Sequence, residues 1–424
     1  MAKSISYINQ VLHEREKVET IEALSKNLTP LTEEEIASLD HNGYNTSADV
    51  SATEDRLNFL NEKDKSTDAI SAYSTDVDSE KLKGNIENFV GMAQIPIGLA
   101  GPLYINGKDA RGDYYIPLAT TEGALVASYN RGMKACRLSG GVTSVCLVEG
   151  VQRSPFFKFR NIGEVGLFIK WIHDNTENIK KVVSETSRFA RLNEVNSNIE
   201  GNSVIVTFEF YTGDAAGQNM VTICTDRICR FIFQNFEIKP IEWYIESNYS
   251  GDKKATALSF SNVRGKKVAA EITLPRKIVT DVLKTTPEQI EKYWVSSTLA
   301  VTQSGSIGAQ GHVANGLTAL FIACGQDVAC ISESSVGVTR MQVTQSGDLY
   351  VSLTLPSLIV GTVGGGTNLP TQKECLEMID CHGVGNARKF AEICCAVALA
   401  GELSIAAAMS VDHFTKAHEK LGRK

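Results

Sequence analysis

Four residues scattered along the chain are of types that can move protons or stabilise an anion. Glu122, in ATTEGALVAS, stands at the head of an apolar helical pattern, as either an exposed first-turn carboxylate favoured by the helix dipole or a buried proton donor. Asp327, in ACGQDVAC, is flanked by apolar and cysteine residues; an acid so placed is expected to be buried and must then be paired, for which a lysine would serve. Lys253 lies between Asp252 and Lys254 in the polar run SGDKK, which reads as a solvated charged turn or as a loop presenting a functional lysine. His413 and His418 are five residues apart, about 140° around one helix, so a shared metal is not expected. His418 is then a surface residue near a mobile end or a proton donor on a movable flap.

Gly364, Gly365 and Gly366, in IVGTVGGGTNL after an expected strand, would let backbone N–H groups approach an anion closely, although a plain turn has the same composition. Neither G-x-G-x-x-G nor G-x-x-x-x-G-K-[ST] occurs, which argues against a standard dinucleotide fold or phosphate loop. The 424 residues are 43% hydrophobic and 21% charged, enough to bury a substantial core, and the net charge of −7 without a basic stretch excludes a broad nucleic-acid surface. MAKSISYINQ does not have the form of a secretory signal. The most apolar stretch, Phe390 to Met409, is interrupted by Glu392 and Glu402, so no membrane span is expected. With ten scattered cysteines read mostly as reduced core residues, this points to a soluble, cytoplasmic protein.

Positioning these groups requires mixed elements. The first 80 or so residues are rich in Glu, Lys, Ser, Asn and Asp, with helical patterns near Val11 to Leu28 and Glu33 to Leu39; Thr32 and Glu35 have capping-box spacing. Strands are expected at Ser203 to Phe210 and Leu349 to Leu355, and helices around Gly123 to Ala135, Met220 to Phe236 and Ala387 to Met409. Between Phe159 and Tyr244 a helix, a strand and another helix could form a compact inserted unit.

In their order along the chain, ENFVGMAQIPIGLAGPL, ATTEGALVASYNRG, TSRFARL, TGDAAGQNM, SNYSGDKK, GSIGAQGHVAN, ACGQD, GTVGGGTNL and AGELS resemble the catalytic portion of 3-hydroxy-3-methylglutaryl-coenzyme A (HMG-CoA) reductase, from about Glu87 to His418. The likeness is to the class that includes the membrane-anchored eukaryotic enzymes, without their anchor. It implies an α+β fold with three parts: a small N-terminal helical domain at 1–86, a large catalytic and coenzyme A-binding domain at 87–158 and 245–424, and an inserted ferredoxin-like NADP-binding domain at 159–244. A homodimer or homotetramer with active sites at the subunit boundary follows from the same resemblance, as do NADPH and HMG-CoA as partners and no metal.

The resemblance also implies roles. Glu122, Lys253 and Asp327 would form the catalytic network, with His418 protonating departing coenzyme A. A Lys253 ammonium held by Asp327 suits the negative charge that hydride delivery places on a thioester oxygen, and a protonated Glu122 could supply a proton there. Reduction would run through mevaldyl-CoA and mevaldehyde to mevalonate. Ser187, Arg188, Asp214, Asn219 and Gly364 to Gly366 correspond to dinucleotide contacts, Arg188 reading the 2′-phosphate. Ser128, Asn130 and Arg131 correspond to coenzyme A contacts, and Asp252, Lys254 and Asn315 to contacts with the acyl group.

Three positions depart from the family pattern. Lys158 stands where an arginine is usual, Glu246 appears near a substrate-contacting serine, and Lys292 lies a few residues too far from GSIGAQGHVAN to match the remaining substrate lysine comfortably. All three touch the clamp on the substrate's free carboxylate. A reductase of another acyl-CoA, an NAD-dependent enzyme running oxidatively, and a non-catalytic acyl-CoA or dinucleotide-binding regulator remain as alternatives.

Overall fold

The computed structural model describes Glu34, Thr53–Glu62, Leu82 and residues 84–411. Of the two N-terminal helical patterns only Glu34, which is helical, falls within that set; His413 and His418 lie outside it. The chain divides into two compact units, 1–76 with 86–91, and 77–85 with 92–424. In the first, helix α1 (Thr53–Glu62) carries Glu54 and Asp55 in its first turn, where carboxylates suit the positive end of the helix dipole.

The second unit mixes helices with antiparallel sheet. Strands β1 (Ile97–Asn106) and β2 (Arg111–Ala119) pair as a hairpin. Helix α2 (Leu125–Leu138) follows, then β3 (Thr143–Arg153) and β4 (Phe156–Lys158). A long excursion comes next: helices α3 (Ile162–Asp174) and α4 (Thr176–Thr186), strands β5 (Arg191–Glu200) and β6 (Ser203–Tyr211), helix α5 (Gln218–Asn235) and strand β7 (Glu242–Tyr244). The chain then returns through β8 (Gly265–Leu274), α6 (Pro287–Ser304), α7 (Val313–Ala323), the short α8 (Ile331–Ser334), β9 (Val338–Val343), β10 (Leu349–Leu358), α9 (Pro370–Met378) and α10 (Ala387–Ser410). The larger sheet runs β7-β4-β6-β3-β8-β10-β9, with β5 on the other side of β6.

Among the described residues, two hydrophobic cores result. One fills the excursion, where Phe157, Phe159, Phe168 and Phe236 pack as tilted and edge-on rings. The other surrounds α10. Strict alternation in β10 buries Leu349, Val351, Leu353 and Leu355, and the same period in β8 buries Val268, Ala270, Ile272 and Leu274. Helix α10 packs on β8, β10 and β3. By length and composition it could cross a membrane, yet 83% of its most apolar window is buried inside the protein. The two glutamates that interrupt it are buried as well, and both satisfy backbone donors. Glu392 accepts from the N–H groups of Asp109, Ala110 and Cys146 at 2.9, 2.8 and 3.1 Å. Glu402 accepts from Gly311, His312 and Val313, occupying the orphan N–H groups that open α7.

Helices α2, α7 and α10 meet where side chains are missing. A Cβ on Gly132 would lie 1.9 Å from the Ala400 carbonyl oxygen, and Gly316 and Gly401 leave room for the Tyr129 ring, whose hydroxyl donates to the His312 carbonyl at 2.6 Å. All ten cysteines are unpaired and nine are buried.

The Gly132 contact is between backbones and cannot relax by a rotamer change. Gly132→Ala is therefore expected to destabilise the protein by about 1–3 kcal/mol, measured as a lower denaturation midpoint; an unchanged midpoint would show that α2 and α10 are not so tightly seated.

Candidate active site

Lys253 and Asp327 come together from segments 74 residues apart, Nζ lying 3.0 Å from Oδ2. Asp327 follows the end of α7 and caps the next turn through the Ala329 N–H. It is not buried as its neighbours suggested: both side chains are close to half exposed, because Val328 and Ala329 turn outward with it. The pairing is what the reading of an acid needing a lysine required. Its hydrogen bond to Asp327, set against partial desolvation, holds the Lys253 ammonium above its ordinary pKa. Burial alone would raise the Asp327 carboxyl, but the Lys253 and Ala329 donors outweigh it and the pKa falls.

Lys253 adopts φ +56°, a left-handed conformation that costs a non-glycine residue free energy. Behind it lies a largely buried chain of alternating charge. Asp252 accepts from Arg153 at 3.1 Å and from Arg264 at 2.6 Å; Arg264 also donates to Glu333 at 2.8 Å, and Arg153 to Glu246 at 3.2 Å. The Glu333 carboxylate also faces the Lys253 backbone N–H. Lys254 is held by the Asn248 side-chain oxygen at 3.0 Å and the Asp252 carbonyl at 2.9 Å.

Glu122 precedes α2 and is exposed, neither a first-turn residue nor buried, because the helix starts only at Leu125 after Ala124 turns left-handed at φ 71°. Asn315, third residue of α7, donates to Glu122 at 3.5 Å, the outer limit of a hydrogen bond. Glu122–Asn315 thus sits at the start of α7 and Lys253–Asp327 beyond its end. An 11-residue helix is about 16 Å long, and among the described residues no hydrogen bond or ion pair links the two pairs.

Several other expected site residues have partners within the chain. Ser128 and Arg131, on α2, converge on Ser404 of α10; Arg131 donates to its carbonyl at 2.6 Å and its hydroxyl at 2.9 Å, and burial lowers the Arg131 pKa. Asn130 accepts from the Gly101 N–H at 3.0 Å. Lys158 pairs with Glu242 across β4 and β7 at 2.9 Å, while Lys292 is exposed on α6. Ser187 accepts from the N–H groups of Phe189 and Ala190, and Arg188 and Asn219 are exposed. The Asp214 carboxylate accepts from Gly385 and Ala387 at the start of α10, and its carbonyl accepts from Thr362. That brings the turn between β6 and α5 against the glycine segment, where Gly364 and Gly365 have positive φ and open space at their Cβ positions.

Arg153, Arg264 and Glu333 escaped the sequence reading: they sit up to 99 residues from their partners, in segments whose surroundings read as ordinary strand and helix. His312 escaped it too. It packs on Tyr129 at 4.7 Å, burial and then the Arg131 charge push its pKa down to about 4, and it is neutral at pH 7.

The family profile described as hydroxymethylglutaryl-coenzyme A reductase matches residues 52–423. The chain belongs to that family. It is 45% identical over 362 residues to the 3-hydroxy-3-methylglutaryl-coenzyme A reductase of Pyrococcus horikoshii, covering 84% of this chain and 87% of the relative. To that of Methanocaldococcus jannaschii it is 43% identical over 380 residues, covering 88% and 93%. Among solved structures it is similar to the class II HMG-CoA reductase of Streptococcus pneumoniae bound to NADPH, with a TM-score of 0.62 at 18% identity over 84% of this chain and 86% of that one. In this member of the HMG-CoA reductase family, the lysine and aspartate picked out by residue type thus form one ion pair.

The raised Lys253 pKa means that its share of the pairing energy is complete below about 10.4 and is lost as pH rises through the raised value. The lowered Asp327 pKa means that its share is complete above about 3.9 and is lost as pH falls through the lowered value. The pair therefore persists across the neutral range. Asp327→Asn should bring the Lys253 pKa down toward about 10.4, read by NMR titration of labelled lysine; an unmoved titration would mean that Asp327 does not hold the ammonium.

Proposed function

We propose that this chain catalyses the NADPH-dependent, four-electron reduction of HMG-CoA to mevalonate and free coenzyme A, by way of mevaldyl-CoA and mevaldehyde. The observation that carries the reading is the Lys253–Asp327 pair, open to solvent on a loop pinned from behind, in a chain that matches its family over residues 52–423.

The geometry supports a division of labour. A thioester carbonyl gathers negative charge on oxygen as its carbon is reduced, and the Lys253 ammonium can meet that charge while Asp327 keeps it protonated and aimed. Glu122, exposed and steadied by Asn315, is the proton source for the same oxygen. His418, outside the described residues, is assigned to protonate the leaving thiolate, for which an imidazole with an ordinary pKa of about 6.5 is suited. The resulting aldehyde meets the same lysine in the second reduction.

NADPH, when bound, supplies the hydride. The β-α-β-β-α-β order from β4 to β7, with α3 and α4 together filling the first helical place, supports a ferredoxin-like dinucleotide-binding unit at 159–244. The open backbone at Gly364 and Gly365 and the exposed Arg188 guanidinium are chemically apt for phosphate oxygens. Ser187 and Asn219 stand beside them in this assignment, whereas Asp214 acts by holding α10 against the glycine segment.

Ser128, Asn130 and Arg131 are assigned to coenzyme A, and Asp252, Lys254, Lys158 and Lys292 to the acyl end. Since one helix holds the Glu122 and Lys253 pairs apart, we infer that the two meeting at one thioester belong to two protomers of a homo-oligomer.

Purified protein should consume two NADPH for each mevalonate formed, in preference to NADH. Lys253→Ala should lower turnover by about 10²–10³-fold with the oligomer mass unchanged by light scattering; near-normal turnover would remove Lys253 from the chemistry.

A further inference from the structure

Glu246 sits where it changes the charge seen by the acyl end of the substrate. In HMG-CoA the free carboxylate is four carbon–carbon bonds from the thioester carbon, so the two are at most about 5 Å apart. If Lys253 meets the thioester oxygen, the carboxylate must come to rest near the same loop. Several of the cations assigned to that end are already committed. Lys253 is paired with Asp327, Lys158 with Glu242, and the buried guanidiniums of Arg153 and Arg264 with Asp252, Glu246 and Glu333. Lys254 bonds only to neutral oxygens and keeps its net charge.

Glu246 and Asp252 share one nitrogen, Arg153 Nη1, at 3.2 and 3.1 Å. Arg153 and Arg264 are already balanced by Asp252 and Glu333, so without Glu246 the cluster behind Lys253 carries no net charge. Glu246 makes it net negative. The Glu246 Oε2 atom takes three donors, from Arg153, the Ser154 N–H and the Ser250 hydroxyl, so the carboxylate is fixed in place. Its Oε1 is buried, with no hydrogen-bond partner among the described residues.

We propose that Glu246 is a specificity-determining residue: by adding a third carboxylate to a cluster of two arginines it weakens the site's hold on an acyl chain that ends in a carboxylate, relative to one that ends in a neutral group. The effect acts through the field of the Arg153–Asp252 cluster, without contact between Glu246 and substrate. It rests on the assignment of Lys253 to the thioester oxygen.

The experiment compares HMG-CoA with 3-hydroxy-3-methylbutanoyl-CoA, the same acyl chain without the carboxylate, in wild type and Glu246→Gln. The amide keeps the acceptor for Arg153, Ser154 and Ser250 and removes the charge. KM for HMG-CoA should fall on the order of tenfold, the size of one charge at roughly 10 Å in a medium of effective dielectric about 20, while KM for the neutral analogue and both kcat values stay nearly constant. Glu246→Ser, with the same change of charge, should shift the ratio in the same direction. The inference is overturned if both substrates move together, as a disturbed loop would make them, if the HMG-CoA constant does not fall, or if neither variant folds. Calorimetric Kd values for the two thioesters separate this claim from the proposed activity: a charge-selective shift in binding without turnover would sink the activity and leave the role of Glu246 standing.

Discussion

An exposed ion pair such as Lys253–Asp327 contributes little by itself, about 0–1 kcal/mol, and cannot hold a lysine in a left-handed conformation. What holds it is the largely buried chain Arg153–Asp252–Arg264–Glu333 beneath the loop. Removing one partner from such a chain strands a buried charge, at a cost of about 3–5 kcal/mol, which exceeds the strain at Lys253. The loop is thus rigid where it presents the Lys253 ammonium.

The surrounding fold serves mainly to bring distant segments to that loop. Arg153 arrives at the end of β3, Arg264 immediately before β8 and Glu333 on α8, so the sheet and the turn after α7 close on the lysine from different sides. Helix α7 acts as a spacer. The Glu402 carboxylate fixes its first turn, Gly316 seats it on Tyr129, and its length sets how far Glu122–Asn315 stands from Lys253–Asp327. In the proposed oligomer that separation is an asset: each protomer offers one half of a site at either end of a stiff rod.

Much of the regular structure was legible because its periods are strong. The expected strands at Ser203 to Phe210 and Leu349 to Leu355 extend to Tyr211 and Leu358, and the helices expected at Met220 to Phe236 and Ala387 to Met409 run Gln218–Asn235 and Ala387–Ser410. The local settings of the chemical residues were harder to read. Asp327 has apolar neighbours in sequence, but the turn after α7 points it outward; Glu122 belongs to a helical pattern whose first residues do not join the helix. The arginines behind Lys253 were invisible because nothing local distinguishes a buried arginine with distant acidic partners from a solvated one. Residue type found the lysine and its acid, while only the tertiary structure discloses what keeps them in place.

The central claim is that a lysine with its aspartate, and a glutamate from elsewhere, converge on one thioester although one protomer holds them at opposite ends of α7. The most direct measurement uses differently tagged Glu122→Gln and Lys253→Ala chains, each inactive alone, co-expressed and purified as mixed oligomers. Recovery of HMG-CoA reduction in the mixed species, from sites that draw an intact lysine from one protomer and an intact glutamate from the other, is the predicted result. Mixed oligomers as inactive as their parents would contradict it.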